Sequence, residues 1–328
     1  MGEIVRWGIA GPGGIATRFA GGMQMIDDGS IVAVGSRSTE RGREFARRFD
    51  IDRHYGSYED LAADPTIDVV YIATPHARHA ADARLFLRAG KHVLCEKPFT
   101  LNAAEGRSVA QVAREHDRFV MEAMWSRFLP SYRVLRDVLA EGRIGEPLLV
   151  EADLGWRSPI VPTDRHFDPR QGGGALLDLG IYPVQLCFLV LGPPDGVVAQ
   201  GRVGETGVDE QVAALTHHPG GRLGVVKTAI RTPMSCTGRI AGTEGTIDLP
   251  AFVHCPDHIT VRDAHGEHRL DGSFEGDGIR FQVDEVHRCL REGLRESPRM
   301  PLHETIAIAE TLDAIRAQIG LHDPGEDS

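Results

Sequence analysis

Residues 5–16 read VRWGIAGPGGIA, and this stretch decides the fold of the N-terminal part of the chain. An apolar run with the pattern of a β-strand ends at Gly11, a glycine-rich turn follows, and a helix-like segment begins near Ile15. The turn matches G-x-G-x-x-A. Its first glycine permits the tight turn, the second lets the backbone approach a pyrophosphate, and the small third residue allows the helix to pack closely on the strand. Because the N–H groups at the start of such a helix attract phosphate, the stretch predicts a dinucleotide site formed by Gly11, Gly13, Gly14, Ile15 and Ala16.

Strand and helix patterns continue to alternate over the first 122 residues. Further strands are predicted at Ile31–Ser36, Val69–Ala73 and His92–Glu96, with helices between them. This alternation predicts a parallel sheet with right-handed crossovers, which is an α/β domain of the Rossmann type covering residues 1–122.

The pattern changes after residue 122. Between residues 197 and 270, short strands are separated by hairpin signals such as Pro219-Gly220-Gly221, which predicts a mainly antiparallel sheet. Residues 123–302 are therefore predicted to form a second, α+β domain. A last helix at residues 303–320 is expected to pack back on the first domain.

The composition excludes several classes of protein. The chain of 328 residues carries 36 Lys and Arg against 47 Asp and Glu, a net charge of −11 without a basic cluster, so we expect no binding to nucleic acid. The apolar run at residues 184–191 is too short to span a membrane. Five scattered cysteines, and the lack of a secretion signal before the first strand, favour reduced thiols in a cytoplasmic protein. His254, Cys255 and His258 have no further ligands at metal-like spacing, so no metal site is expected.

The end of the second predicted strand indicates which nicotinamide cofactor is used. A site selective for NAD places an acidic residue there to hold the ribose 2′-hydroxyl. This chain has Ser36 and Arg37 instead, with Arg41 one helical turn later. A serine can donate to a 2′-phosphate and a guanidinium can pair with it, so the sequence favours NADP over NAD. The alternative is that both arginines are ordinary surface residues.

Two further segments indicate the chemistry. Residues 95–98, CEKP, end a strand at the carboxyl edge of the predicted parallel sheet, where such folds place their active sites. Residues 172–182, GGGALLDLGIY, run from a glycine loop into a helix and place Asp178 and Tyr182 on one helix face. Together with the dinucleotide motif and the hairpin AGTEGTI at residues 241–247, these segments resemble the Gfo/Idh/MocA oxidoreductase family over nearly the whole chain.

One departure from the family pattern narrows the resemblance. Most members carry histidine at the position of Tyr182. A tyrosine there resembles glucose–fructose oxidoreductases and dimeric dihydrodiol dehydrogenases. The segments at residues 121–130, MEAMWSRFLP, and 174–182 are most similar to the branch of dimeric dihydrodiol dehydrogenases and NADP-dependent D-xylose dehydrogenases.

The resemblance implies a fold, a cofactor and a catalytic pair. The fold is a Rossmann domain followed by a domain with a large open-faced sheet, the cofactor is NADP, and the pair is Lys97 and Tyr182. Such a pair suits alcohol oxidation, because a nearby ammonium lowers the pKa of a phenol and the phenol then exchanges a proton with the substrate oxygen. Asp178 is expected to orient the substrate or Lys97, with a cap or a salt bridge as the alternative. A homodimer or a dimer of dimers through the open sheet is also expected.

The resemblance adds further candidate residues. The family places the loop after strand 69–73 against the cofactor, although His79 in this loop could simply begin the next helix. The expected cofactor contacts from this loop and from the later motifs are Ala73, Thr74, Pro75, His76, His79, Glu96, Lys97, Trp125 and Arg127. The candidate walls of the substrate site are Trp125, Trp156 and Phe281, with packing in the core as the alternative.

The sequence therefore predicts an NADP-dependent oxidoreductase that acts on a hydroxyl or carbonyl group of a sugar, a cyclic polyol or a trans-dihydrodiol. Two alternatives remain open. One is an NADP-binding regulatory protein without turnover, and the other is a redox-assisted glycosidase.

Overall fold

The computed structural model describes residues 4–321. Over this range the strands are, in chain order, β1 Val5–Ala10, β2 Gly29–Gly35, β3 Arg53–Tyr55, β4 Val69–Ile72, β5 His92–Glu96, β6 Val120–Ala123, β7 Pro147–Gly155, β8 Gly196–Val203, β9 Asp209–His218, β10 Arg222–Ala229, β11 Gly238–Gly242, β12 Thr246–Leu249, β13 His258–Asp263 and β14 Gly266–Asp271. The helices are α1 Gly14–Met23, α2 Thr39–Arg48, α3 Tyr58–Ala63, α4 His79–Arg88, α5 Ala103–Glu115, α6 Pro130–Ala140, α7 Ile181–Leu191, α8 Arg280–Arg291 and α9 Leu302–Gln318.

A parallel sheet forms the centre of the first compact unit. Its strand order is β3-β2-β1-β4-β5-β6, which is the doubly wound Rossmann order. All four residues of β4 are buried, because helices cover both faces of the sheet. The order reverses between β1 and β4, so the loops that follow these two strands diverge and leave a crevice at the carboxyl edge, where such folds bind ligands. The predicted α/β domain is confirmed.

An eight-stranded sheet forms the centre of the second unit. Its order is β14-β13-β12-β11-β7-β10-β9-β8, and the β7–β10 pair is parallel while the other pairs are antiparallel. Helix α7 packs on β7 and β10 and covers one face. Alternate residues of β9 point to the other face and are exposed, as the open-faced sheet requires.

The boundary between the units differs from the predicted one in the C-terminal part. Residues 275–305, which include α8, group with the chain up to Phe128, whereas the chain from Ile306 onward groups with Leu129–Phe274. Helix α8 joins the first unit because its His287 accepts a hydrogen bond from the indole N–H of Trp7, at 3.0 Å. Most of α9 joins the second unit, since Gln318 exchanges hydrogen bonds of 2.8 Å with the backbone of β8. The start of α9, up to Thr305, groups with the first unit, and the packing of residues 303–320 on the first domain stays a prediction.

One stretch of the described residues, Pro169–Leu191, has the length and the mean hydropathy, 1.8, of a membrane span. Its most apolar window is 89% buried within the protein. A core helix of a globular domain has this combination of properties.

Candidate active site

The glycine-rich loop has the backbone that an anion site needs. Gly11 has φ +93°, and a Cβ at this position would lie 3.0 Å from the carbonyl oxygen of Ala73, so only glycine fits. A Cβ at Gly13 or Gly14 would meet nothing within 4 Å, so this part of the loop faces open space. Gly13 is the N-cap of α1 without a side-chain cap, and the first turn carries no acidic residue. The loop therefore fits the pyrophosphate of a dinucleotide.

Three guanidinium groups gather beside the end of β2. Arg37 and Arg41 are exposed, and within residues 4–321 neither guanidinium has an ion pair or a hydrogen bond. Arg78, which the sequence analysis missed, lies with its guanidinium carbon 5.5 Å from the ring centroid of Tyr58. Burial raises the pKa of Tyr58, while the positive charges of Arg37, Arg78 and Arg41 oppose that rise. Two hydrogen bonds to Asp82, at 2.6 and 3.3 Å, already engage the guanidinium of Arg78, so Arg37 and Arg41 are the groups of this corner that can hold a phosphate.

Ser36 directly follows β2 as predicted, and its contact with a 2′-phosphate stays a prediction. It is 4% exposed, and its hydroxyl oxygen accepts the backbone N–H of Ser38 at 3.1 Å. The side chain of Ser38 in turn accepts the N–H of Arg41 and caps α2. Ser36 therefore shapes the turn that presents Arg37.

The loop after β4 lies beside the glycine loop. Ala73 and Thr74 are the nearest neighbours of Gly11, and the Thr74 hydroxyl donates to Asp82 at 2.8 Å. Pro75 and His76 follow and are partly exposed. These four residues form the loop after β4, and their contact with a cofactor stays a prediction.

His79 does not face this crevice. It is the first residue of α4 and is fully buried. Its Nδ1 lies 2.8 Å from the carbonyl oxygen of Pro98, and its Nε2 lies 2.9 Å from that of Thr74. Because both ring nitrogens contact backbone carbonyl oxygens, His79 braces two loops, and its contact with the cofactor stays a prediction.

Lys97 follows β5, and its side chain is partly exposed. The neighbouring Glu96 points inward and is 6% exposed. Its Oε1 accepts the hydroxyl of Tyr71 at 2.5 Å, and its Oε2 accepts the N–H of Lys97 at 3.2 Å. Burial raises the pKa of Glu96, and these two residues oppose the rise. Glu96 therefore supports the loop from within the sheet, where a direct cofactor contact had been expected.

Trp125 and Arg127 were both expected near the cofactor. Trp125 is 6% exposed and packs beside α1, with the Arg18 guanidinium 5.1 Å from its ring centroid. Arg127 is 1% exposed, forms an ion pair with Glu304 and donates to the carbonyl oxygen of Arg299 at 3.3 Å. Arg127 thus anchors the start of α9 inside the first unit, and its contact with the cofactor stays a prediction.

Asp178 and Tyr182 lie on one helical segment of the second unit. Asp178 is 3% exposed and receives two hydrogen bonds from Arg165, at 3.1 and 3.3 Å. His166 also lies 3.3 Å from it, and the bond to Asp178 is the main reason that the pKa of His166 is raised. Asp178 therefore fastens the loop before the helix, which matches the salt-bridge alternative. The Tyr182 ring is 6% exposed and its centroid lies 5.0 Å from that of His254.

The start of this segment is a π-helical turn, Leu176–Gly180, which the sequence did not predict. Asp209 holds it, because its Oδ2 accepts the N–H of Leu176 at 2.6 Å. Gly174 has φ +118°, and a Cβ there would lie 2.1 Å from Asp209 Oδ1. Burial raises the pKa of Asp209 to about 7. No local pattern marks an aspartate at the start of a strand as the cap of a helix more than 30 residues earlier.

Two comparisons of sequence identify the family. The model of the Gfo/Idh/MocA oxidoreductase family with an NAD-binding Rossmann fold matches residues 5–124, and the model of the Gfo/Idh/MocA C-terminal domain matches residues 132–248. The chain belongs to the Gfo/Idh/MocA family. Trans-1,2-dihydrobenzene-1,2-diol dehydrogenase of Homo sapiens is 41% identical over 98% of both chains. The Sus scrofa enzyme is 40% identical over the same shares, and the Danio rerio enzyme is 36% identical over 97% of both.

Solved structures of the family have the same fold. A 3-ketoreductase from Actinomadura kijaniata in complex with NADP and TDP-benzene is 26% identical, with a TM-score of 0.87 over 97% of this chain and 98% of that one. A levoglucosan dehydrogenase in complex with NADH has a TM-score of 0.88 at 22% identity, over 96% of this chain and 97% of that one. At 22% identity, the similarity to levoglucosan dehydrogenase concerns the fold alone.

The remaining predicted residues of this Gfo/Idh/MocA oxidoreductase are the two candidate substrate walls. Trp156 directly follows β7 and is 38% exposed. Phe281 is the second residue of α8, and the Arg280 guanidinium lies 4.8 Å from its ring centroid. Both rings have surface that a ligand can contact, and their role stays a prediction.

Proposed function

We propose that this protein is an NADP-dependent dehydrogenase of trans-dihydrodiols, with sugars and cyclic polyols as the related substrate class. The observation that carries the proposal is the 41% identity over 98% of the chain to a trans-1,2-dihydrobenzene-1,2-diol dehydrogenase. The reaction removes a hydride from the carbon of a CH–OH group and a proton from its oxygen, which leaves a carbonyl group. In the reverse direction the same groups reduce a carbonyl.

The first unit supplies the cofactor site. The N–H groups at the start of α1, beside Gly13 and Gly14, hold the pyrophosphate, because that loop faces open space and lacks a competing carboxylate. Arg37 and Arg41 hold the 2′-phosphate that distinguishes NADP from NAD. When bound, the nicotinamide accepts or supplies the hydride.

Tyr182 exchanges the proton with the substrate oxygen, and Lys97 assists it. A phenol is a weak base near neutral pH, and an adjacent ammonium favours its ionised form. The same ammonium can donate a hydrogen bond to the substrate oxygen. Asp178 acts through Arg165 and His166, which it holds on the loop before the Tyr182 helix.

The proposed activity can be tested by following NADP reduction by absorbance with a panel of trans-dihydrodiols, aldoses and inositols. In Tyr182→Phe, the ring remains and turnover should fall by about 10²–10⁴-fold, the usual contribution of general acid–base catalysis. Tyr132→Phe is the matched control, because Tyr132 is buried in the same unit and its hydroxyl donates to a backbone carbonyl oxygen, that of Val253. Full turnover in Tyr182→Phe would remove Tyr182 from the mechanism, and no reaction with any member of the panel would contradict the proposed substrate class.

We further propose that the protein is a homodimer, or a dimer of dimers, paired through the open sheet face. Val198 of β8 and Leu215 of β9 are direct partners in the sheet and are 66% and 42% exposed. Val225 continues the same row on β10. Contiguous exposed apolar side chains favour an isologous contact. Light scattering should give at least twice the mass of the chain, and Leu215→Glu should lower it, whereas a wild-type monomer at micromolar concentration would contradict the proposal.

We also propose a cytoplasmic location. All five cysteines lie within the described range and none of them forms a disulfide, which suits a reducing compartment.

A further inference from the structure

The loop that carries Lys97 is held at two successive residues by buried side chains from other elements. The carbonyl oxygen of Pro98 lies 2.8 Å from Nδ1 of His79, on α4. The N–H of Phe99 donates to Oε1 of Glu122, on β6, at 2.9 Å. The backbone directly after Lys97 is therefore fixed by one side chain of α4 and one side chain of β6.

His79 joins this loop to the loop that borders the glycine turn. Its second ring nitrogen lies 2.9 Å from the carbonyl oxygen of Thr74. Both partners are acceptors, so either neutral tautomer donates to one of the two loops and the imidazolium donates to both. Thr74 is itself in contact with the position of Gly11. The ring thus connects the backbone of the phosphate loop region with the backbone of the lysine loop.

Glu122 occupies a position where an acid is costly. It is 1% exposed, and burial raises its pKa to about 7. An apolar side chain of similar size would avoid the cost of burying a carboxyl group but could not accept the Phe99 N–H. The hydrogen bond from the Phe99 N–H opposes the rise in the pKa most strongly, followed by the positive charge of Arg127.

We propose that His79 and Glu122 are positioning residues for Lys97: they fix the backbone from which its side chain extends, and through it the location of its ammonium group. The inference rests on the proposed role of Lys97. Displacing a catalytic group by about 1 Å can cost about 10²-fold in rate. Removing either contact should therefore lower kcat by about 10–100-fold, and in Glu122→Leu, where the loop beside the glycine turn keeps its His79 contact, the dissociation constant for NADPH should change by no more than about twofold.

The scarcity of lysine allows the position of Lys97 to be observed without any reaction. The chain has three lysines, at positions 91, 97 and 227. Reductive methylation with ¹³C-formaldehyde gives each reacting lysine its own NMR signal, and Lys97→Arg identifies the signal of Lys97. In the cofactor-free protein, Glu122→Leu and His79→Leu should each move the chemical shift and the titration midpoint of Lys97. The signal of Lys227, in the other unit, should not move.

Two variants separate positioning from a general loss of packing. Glu122→Gln keeps an oxygen that can accept the Phe99 N–H, so its Lys97 signal and its kcat should stay close to those of the wild type. His287→Leu removes another buried histidine of the same unit, one bonded to Trp7 and Asp28, and should leave the Lys97 signal unchanged.

An unmoved Lys97 signal in folded Glu122→Leu or folded His79→Leu would overturn the role of that residue. If Glu122→Leu does not fold, Glu122→Met is measured in its place. If His79→Leu does not fold, His79→Met is measured in its place. Full turnover in Lys97→Met would contradict the proposed mechanism. In the His79 and Glu122 variants, the signal of methylated Lys97 would still report whether these two residues fix the lysine.

Discussion

Replacing Asp209 by asparagine should change how the stability of the protein depends on pH. Asp209 has an ordinary pKa of 3.8 in the unfolded chain, and burial raises its pKa to about 7 in the fold. Between these values the folded state keeps a proton that the unfolded state has lost. The folded state therefore binds more protons, and the free energy of unfolding falls as the pH rises through this window.

The magnitude follows from the rise in the pKa. Each pKa unit corresponds to about 1.4 kcal/mol, so a rise from 3.8 to about 7 makes this fall on the order of 4 kcal/mol. The asparagine variant cannot ionise at this position and should lack the fall. Its amide oxygen can still accept the Leu176 N–H, and the loss of the second acceptor oxygen costs about 1–3 kcal/mol at every pH. The test is therefore the slope with pH and not the offset.

The assay is denaturant or thermal unfolding of both proteins from about pH 5 to about pH 8, where most of the difference should develop. The stability of Asp209→Asn relative to the wild type should rise steadily with pH. Asp263→Asn is the control in the same unit. Hydrogen bonds from Arg143 hold the pKa of Asp263 below its usual range, so its contribution changes only in more acidic solution. A relative stability of Asp209→Asn that does not change with pH would refute the reasoning.

Two further predictions concern the cofactor site. Arg37→Asp should weaken NADPH binding by about 10–150-fold, because a charge-assisted contact contributes about 1.5–3 kcal/mol, and should leave NADH binding unchanged. Fluorescence titration measures the affinities for NADPH and NADH, and Arg47→Asp on helix α2 is the control. An unchanged ratio of the two affinities would place the 2′-phosphate elsewhere. Gly11→Ala should lower the stability by about 1–2 kcal/mol because of its φ of +93°, and should weaken NADPH binding as the loop shifts away from Ala73. Gly21→Ala, inside α1 with nothing near its Cβ, should raise the stability by about 0.5–1 kcal/mol; equal effects of the two substitutions on the melting temperature would contradict the argument.

The features that the sequence predicted correctly depend on residues that are close together in the chain. The glycine loop with its flanking strand and helix is complete within residues 5–23, and the φ of +93° at Gly11 is a local requirement for glycine, to which the close approach of Ala73 adds. The alternation of strands and helices also depends on residues that are close together in the chain, so it predicts the parallel sheet correctly. The lack of an acid beside Arg37 is also visible locally, so the indication of NADP needed no tertiary structure.

The features that the sequence missed depend on which way a side chain points. A residue near the end of a strand is known to lie at the carboxyl edge, but neighbouring side chains point to opposite sides. This is why the sequence did not show that Glu96 turns inward to Tyr71, while Lys97 beside it is partly exposed. The ion pair of Arg127 was missed because its partner Glu304 lies far along the chain.

The boundaries of the units and the supports of the site were decided by the tertiary structure alone. Helix α8 belongs to the first unit because His287 meets Trp7, and these residues are 280 positions apart. Glu122 meets the Phe99 N–H, and Asp209 meets that of Leu176, across separations that no helical or strand period can encode. Local sequence determines the conformations that a backbone segment favours. Burial and hydrogen bonding between distant segments determine which side chains remain available for chemistry, and those contacts exist only once the chain has folded.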